Sequence, residues 1–401
     1  MDAHVPQRAQ VGGLTGPSRV LVRNRGALLA RYITFLVLTP VVSIFLTGCA
    51  SSGQADVTSG NLQETLKVLA ERHHVCGVAV AVIKNRKLDS IESATGCLPA
   101  LKLKPDSVFQ AASLSKPIFA YAVLKLVAQG KMALDVPIVK YLPQGYRHQF
   151  NPLKAEPADL VTDPRLRAIT VRMALNHTSG LPSWAFGPLK FDSTPGTKWR
   201  YSGEGYVLLQ RAVEAVTEQP LDQFMTSQVF VPLAMNHSTY AWSEPIAENL
   251  VPGTKANGKP RATMILKSPN AAFSLYTTAT DYGKFLVALL SDEDAVKRIT
   301  ASPVSVNPGL ALSWGLGWGI ERNKDDLFIW QWGSNTGYRA FVIASVGTGD
   351  GFVVLTNSEN GLKLAQPMTQ KILSGEHQLF RFSMLGDDIL NLFCNTLRVC
   401  L

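Results

Sequence analysis

The stretch Phe109-Gln-Ala-Ala-Ser-Leu-Ser-Lys-Pro117 decides how this chain is read. Behind it Ile118, Phe119, Val123, Leu124 and Val127 keep a helical period as far as Gly130, and Pro117 suits the first turn of that helix. Ser113 and Lys116 stand three apart, so a helix sets them on one face with the Lys116 amine beside the Ser113 hydroxyl. A hydroxyl whose proton an amine can take is an activated nucleophile. Composition alone gives a Ser three before a Lys about once in a chain of this length, so the weight falls on what surrounds the pair.

On the N-terminal side, Leu62, Leu66 and Leu69 predict an amphipathic first helix that covers a sheet. Val78-Ala-Val-Ala-Val-Ile83 reads as a buried strand, turning at Lys84-Asn-Arg-Lys87 into a more polar strand through Thr95. From about residue 135 to residue 300, Pro and Gly break short apolar segments, which predicts an all-helical lobe. Strand signals return at Leu327-Phe-Ile-Trp-Gln-Trp332, Arg339-Ala-Phe-Val-Ile-Ala344 and Gly351-Phe-Val-Val-Leu355, followed by a helical segment from about Leu362 to Leu373. The order predicts an α+β fold: an antiparallel sheet built from both chain ends and flanked by helices, a helical lobe, and the nucleophile at the lobe boundary.

The 401 residues, 46% apolar and 17% charged, suffice for one large core and carry no bias toward disorder. Residues 1–48 stand apart. Arg19, Arg23, Arg25 and Arg31 precede an apolar run from Tyr32 to Leu46 that Pro40 interrupts, too short for a spanning helix and suited to a secretory signal. Leu46-Thr-Gly-Cys49 resembles a bacterial lipobox, which makes Cys49 a lipidation site; Ala50 behind it implies outer-membrane sorting by the same resemblance. Without residues 1–48 the net charge falls from +9 to +5. No Lys/Arg stripe with interleaved aromatics is present, which argues against a nucleic-acid partner. Export leaves Cys76, Cys97, Cys394 and Cys400 in an oxidising compartment. Cys76 and Cys97 flank the first hairpin and are expected to pair, worth about 3 kcal/mol by loop entropy. Cys394 and Cys400 are a second possible pair. No Cys/His spacing matches a zinc site, and His73-His74 suits a solvated helix end.

Four further stretches follow Phe109–Lys116 in order: Ile169-Thr-Val-Arg-Met-Ala-Leu-Asn-His-Thr-Ser-Gly-Leu181, Pro195-Gly-Thr-Lys-Trp-Arg-Tyr-Ser-Gly-Glu-Gly-Tyr206, Ala272-Phe-Ser-Leu-Tyr-Thr-Thr278 and Gly333-Ser-Asn-Thr-Gly-Tyr338. With them the chain resembles the serine β-lactamase and penicillin-binding-protein superfamily, in the branch of class C β-lactamases, D-aminopeptidases, D-Ala-D-Ala carboxypeptidases and β-lactamase-like esterases. The resemblance implies the β-lactamase/transpeptidase-like fold. It makes Tyr201 the catalytic tyrosine, relaying protons between Ser113 and the leaving group while Lys116 sets the field. It also makes the backbone N–H groups of Ser113 and Ser334 the oxyanion donors, with Gly333 letting the strand approach substrate closely.

Two positions depart from the family. Tyr201-Ser-Gly203 replaces the Tyr-x-Asn of class C β-lactamases, removing an amide that would contact substrate, and Gln331 replaces the usual Lys or His, weakening recognition of a carboxylate. Gly203, Gln331, Trp332 and Gly333 are therefore the substrate-binding candidates, and the departures favour small esters over D-amino-acid peptides and β-lactams. His177 is expected to pack a turn, Asp281 to cap the helix through Leu290, and Trp184, Trp314, Trp318 and Trp332 to line a pocket or fill the core. The expected organisation is a lipoprotein signal peptide (1–48), a linker (49–60), a serine hydrolase domain (61–375) and a C-terminal extension (376–401) that docks on the body. The protein so read is exported and lipid-anchored, facing the periplasm. It implies no metal or organic cofactor and acts on a small-molecule or peptidoglycan-type substrate. The rival reading is an envelope lipoprotein that binds peptidoglycan peptides or penicillin without turnover.

Overall fold

Val78-Ala-Val-Ala-Val-Ile83 is apolar at every position because both faces of its strand are covered. Val78, Val80 and Val82 pack into one core cluster with Leu66 and Leu69, while Ala79, Ala81 and Ile83 pack into the other with Phe285 and Leu289. The computed structural model containing this strand describes residues 60–98, 101–324 and 326–385. Residues 1–59, with the expected signal and Cys49, and residues 386–401, with Cys394 and Cys400, lie outside the described residues.

In chain order the described elements begin with helix α1 (Leu62–Arg72), strands β1 (Val78–Lys84), β2 (Lys87–Ala94) and β3 (Phe109–Ala112), and helix α2 (Ser115–Ala128). The hairpin β4 (Arg147–Asn151) and β5 (Lys154–Leu160) precedes helices α3 (Val171–Leu175), α4 (Gly203–Thr217), α5 (Leu221–Met225) and α6 (Glu244–Asn249). Strand β6 (Leu275–Thr277) leads into α7 (Ala279–Ser291) and α8 (Glu293–Thr300). Strands β7 (Val304–Asn307), β8 (Leu312–Trp314), β9 (Gly319–Arg322), β10 (Leu327–Asn335), β11 (Tyr338–Ser345) and β12 (Gly351–Thr356) then run up to helix α9 (Ala365–Ile372).

The main sheet has eight antiparallel strands in the order β2-β1-β12-β11-β10-β9-β8-β7, so β1 and β12 meet from opposite ends of the chain, with Val78 opposite Thr356 and Ile83 opposite Gly351. Helix α1, helix α9 and residues 378–385 supply the apolar groups for one face. Helices α2, α4, α7 and α8 supply them for the other. Helix α7 sits close on β1 because Gly283 lacks a side chain; a Cβ there would lie 2.9 Å from Ala81 Cβ. Cys76 and Cys97 form a disulfide that ties the two ends of the β1–β2 hairpin.

The helical lobe is not all helix. Strand β4 sets buried His148 beside exposed Arg147, and His148 Nε2 lies 3.1 Å from Glu204 Oε2, so a segment that reads as polar in sequence sends one side chain inward. Strand β6 pairs with β3 and carries the 272–278 segment to the nucleophile. Asp281 does not cap α7. Thr278 does, accepting from Asp281 N–H at 3.0 Å, while the Asp281 carboxylate accepts from His237 N–H and Ser238 Oγ.

From His377 to Leu385 the chain stays on the body. His377 Nδ1 meets Glu321 Oε2 at 2.7 Å, Glu321 Oε1 accepts from Leu379 N–H at 3.0 Å, and Phe382 packs against Trp199, Trp330 and Trp332. Lys371 Nζ donates to Gly60 O at 2.6 Å, closing the first described residue onto α9.

Candidate active site

Ser113 occupies the turn between β3 and α2. Ala112 before it takes a left-handed conformation, φ +49°, which costs about 1–2 kcal/mol in a residue with a Cβ. Lys116 N–H donates to Ser113 O at 3.1 Å, so the turn folds back as the helix begins. Ser115 locks it from beneath: its hydroxyl donates to Ala112 O at 2.5 Å and accepts from Leu275 N–H at 3.0 Å, while its carbonyl accepts from Tyr240 Oη at 2.6 Å. The nucleophile thus precedes the helix rather than riding on it, and Ser113 remains partly exposed.

Lys116 is 1% exposed. Its Nζ donates to Ser113 Oγ at 3.1 Å and to Ala272 O at 2.8 Å, and stands 4.7 Å from the centre of the Tyr201 ring. Burial disfavours the charged ammonium and brings the group down to about 7. Near neutrality a large share of Lys116 is therefore an amine with a free lone pair, next to a hydroxyl.

Tyr201 arrives from the other lobe, just before α4. Its hydroxyl has no partner at ordinary hydrogen-bond geometry, although the Ser113 and Gln331 side chains lie near enough to favour the phenolate. Burial outweighs both and raises the group, so Tyr201 is held as a neutral phenol. Two rings fix its plane: His177 at 4.3 Å and Trp332 at 5.1 Å. His177, with φ +61°, accepts Ser202 N–H on Nδ1 at 3.1 Å. Burial first, then the field of Lys116, depresses it well below the usual imidazole range, so it is neutral.

Strand β10 forms the third side. Its residues Gln331–Asn335 extend beyond the pairing with β9, which ends at Trp330, so that edge faces β3. Trp332 N–H donates to Gln331 Oε1 at 3.0 Å instead of to a neighbouring strand, and strand alternation points Ser334 N–H the same way. Gly333 permits the approach, since a Cβ would fall 2.4 Å from Ala111 O. Gln331 is fully buried, with Nε2 unpartnered on the side of Tyr201. Asn335 Nδ2 ties the strand to Gln110 Oε1 at 2.9 Å.

The structure brings Ser113, Lys116, Tyr201, Gln331, Gly333 and Ser334 together and gives two expected substrate contacts other surroundings. Trp332 is 7% exposed, because alternation turns it into the cluster with Trp314, Trp330 and Phe382, where it floors Tyr201 instead of facing a ligand. Gly203 is buried under Trp184, whose ring would stand 2.7 Å from a Cβ at 203. Trp314 and Trp318 are core residues, both fully buried. The Ala272 carbonyl and the Ser115 brace escape sequence reading: the first is a backbone group, and the second lies hidden inside the nucleophile motif.

The Beta-lactamase family profile matches residues 62–376, and the chain belongs to that family. It is 26% identical over 298 residues to penicillin-binding protein 4 of Amycolatopsis lactamdurans, covering 64% of this chain and 74% of that protein. It is 29% identical over 215 residues to esterase EstB of Burkholderia gladioli, covering 45% of this chain and half of that protein. A solved class C β-lactamase superposes with a TM-score of 0.62 at 18% identity, covering 77% of this chain and 94% of the other, which shows the shared fold.

Proposed function

We propose that this protein is a serine hydrolase that turns over through an acyl-enzyme on Ser113. The observation that carries the reading is the buried Lys116 amine, 3.1 Å from Ser113 Oγ and shifted to about 7. In the first step Ser113 Oγ adds to the substrate carbonyl as its proton passes to Lys116 Nζ, and the oxyanion takes N–H bonds from Ser113 and Ser334. The neutral Tyr201 phenol gives its proton to the leaving oxygen or nitrogen and is reprotonated from Lys116. The leaving group departs and Ser113 keeps the acyl group. Water then adds along the same route and releases the acid, restoring Ser113. This assignment makes the lysine the base and the tyrosine the proton donor, because burial raises Tyr201 while it lowers Lys116.

Small esters lead the substrate order, ahead of D-amino-acid peptides and β-lactams. Gln331 offers an amide in place of a cation, and position 203 offers no side chain. Export with lipidation at Cys49 belongs to the same proposal and is supported by the Cys76–Cys97 disulfide, which suits an oxidising compartment. A lipid-modified N-terminal Cys49 peptide in the membrane fraction is the expected result; an unmodified peptide in the soluble fraction would remove this part.

The hydrolase reading is tested by intact-protein mass spectrometry after exposure to a fluorophosphonate and to a penicillin, beside Ser113→Ala. A fluorophosphonate adduct that Ser113→Ala abolishes is expected. Failure of both reagents to label Ser113 would return the chain to a binding role.

A further inference from the structure

Three hydrogen bonds clamp the segment 182–185 across the start of α4. Ser202 Oγ donates to Pro182 O at 2.9 Å, Gly203 N–H to Ser183 O at 3.0 Å, and Ala185 N–H to Glu204 Oε1 at 2.9 Å. The clamp lays the Trp184 indole over Gly203, where a Cβ would lie 2.7 Å from the ring and 2.6 Å from Ser183 O. Residue 203 is two positions beyond Tyr201, so the indole fills the space that a side chain there would occupy. On its other side Trp184 meets the edge of Phe273, with ring centres 5.2 Å apart. Phe273 directly follows Ala272, whose carbonyl holds Lys116 Nζ. The clamp is itself secured, because Glu204 is 2% exposed and its second oxygen meets His148 Nε2 at 3.1 Å.

Trp184 therefore stands as a rigid, partly exposed aromatic surface between the tyrosine and lysine arms of the site. We infer that Trp184, backed by Phe273 and seated on Gly203, is a specificity-determining residue that selects substrates with an apolar, preferably aromatic, acyl side chain. The inference rests on the hydrolase reading above and names its substrate class. An indole face contributes area and edge-to-face contacts but no hydrogen-bond acceptor, so it favours an aryl or alkyl acyl group over an acylamino one.

The test compares kcat/KM for 4-nitrophenyl phenylacetate and 4-nitrophenyl acetate, which share a leaving group, in the full chain, Trp184→Ala, Trp184→Leu and Ser113→Ala. The parent enzyme is expected to prefer phenylacetate by about tenfold or more, and Trp184→Ala to cut that ratio by about tenfold. Trp184→Leu keeps an apolar cover over Gly203 and decides the matter if the alanine variant does not fold, as judged by its thermal transition; the ratio is expected to fall there too. A parent preference for acetate, or equal losses on both esters in the variants, would overturn the specificity role while leaving the hydrolase standing. Turnover of neither ester would overturn the specificity role together with the preference for esters, whereas turnover that survives Ser113→Ala would sink the hydrolase reading beneath it.

Discussion

Lys116 concentrates the cost and the use of this site in one amine. Its proton is held at about 7 in the folded protein against 10.5 for an ordinary lysine. Between those values the unfolded chain carries a proton that the folded one lacks, so stability rises with pH across the window, and below about 7 the full penalty applies. By that shift the penalty is on the order of 5 kcal/mol. Replacing Lys116 by Met should therefore raise the thermal midpoint at pH 6, by an amount that shrinks toward pH 10, while abolishing turnover. Differential scanning calorimetry across that range checks it; a gain that does not vary with pH would mean Lys116 is not buried at this cost. Activity follows the same proton, also rising with pH, on the acid side of that window. The base must be neutral, so kcat/KM should rise about tenfold per pH unit up to about 7 and then level. A plateau continuing unchanged down to pH 5 would place the base elsewhere.

The oxyanion edge depends on elements rather than single groups. Strand β10 reaches the nucleophile turn because Gly333 has no side chain and Asn335 is tied to Gln110. Gly333→Ala should push β10 away from Ala111 and lower kcat by about 100-fold or more, the scale of losing one oxyanion donor, with the chain still folded by circular dichroism. Unchanged kcat would show that this edge is not part of the site. Sequence reading finds β1, β10, β11 and β12 because each carries five or more residues of largely apolar pattern, and β2 because it follows β1 across a turn. It passes over β7, β8 and β9, which have only three or four residues each, too few for a period to show. The hairpin β4–β5 escapes for another reason: among its described side chains the buried one is His148, whose neighbour Glu204 lies more than fifty residues away and cannot be found by pattern. Tyr201 was legible from its motif. That Trp332 would stand behind it, and Trp184 beside it, depended on strand alternation and on the empty position at Gly203.

At the scale of the molecule, the sheet is closed late and stapled early. The disulfide spans 21 residues around the first hairpin. Changing both cysteines to Ser should lower stability by about 3 kcal/mol, read as a reduced denaturant midpoint with an unchanged slope. No shift in the midpoint would mean the unfolded chain gains nothing when the loop is opened. The pairing of β1 with β12 joins segments separated by most of the folded chain, and long-range pairing of this kind slows folding.

The contact between Lys371 and Gly60 has a topological meaning. Through it the residue that leads into α1 is moored to α9, so the stretches that flank the paired strands β1 and β12 are lashed together a second time, outside the sheet.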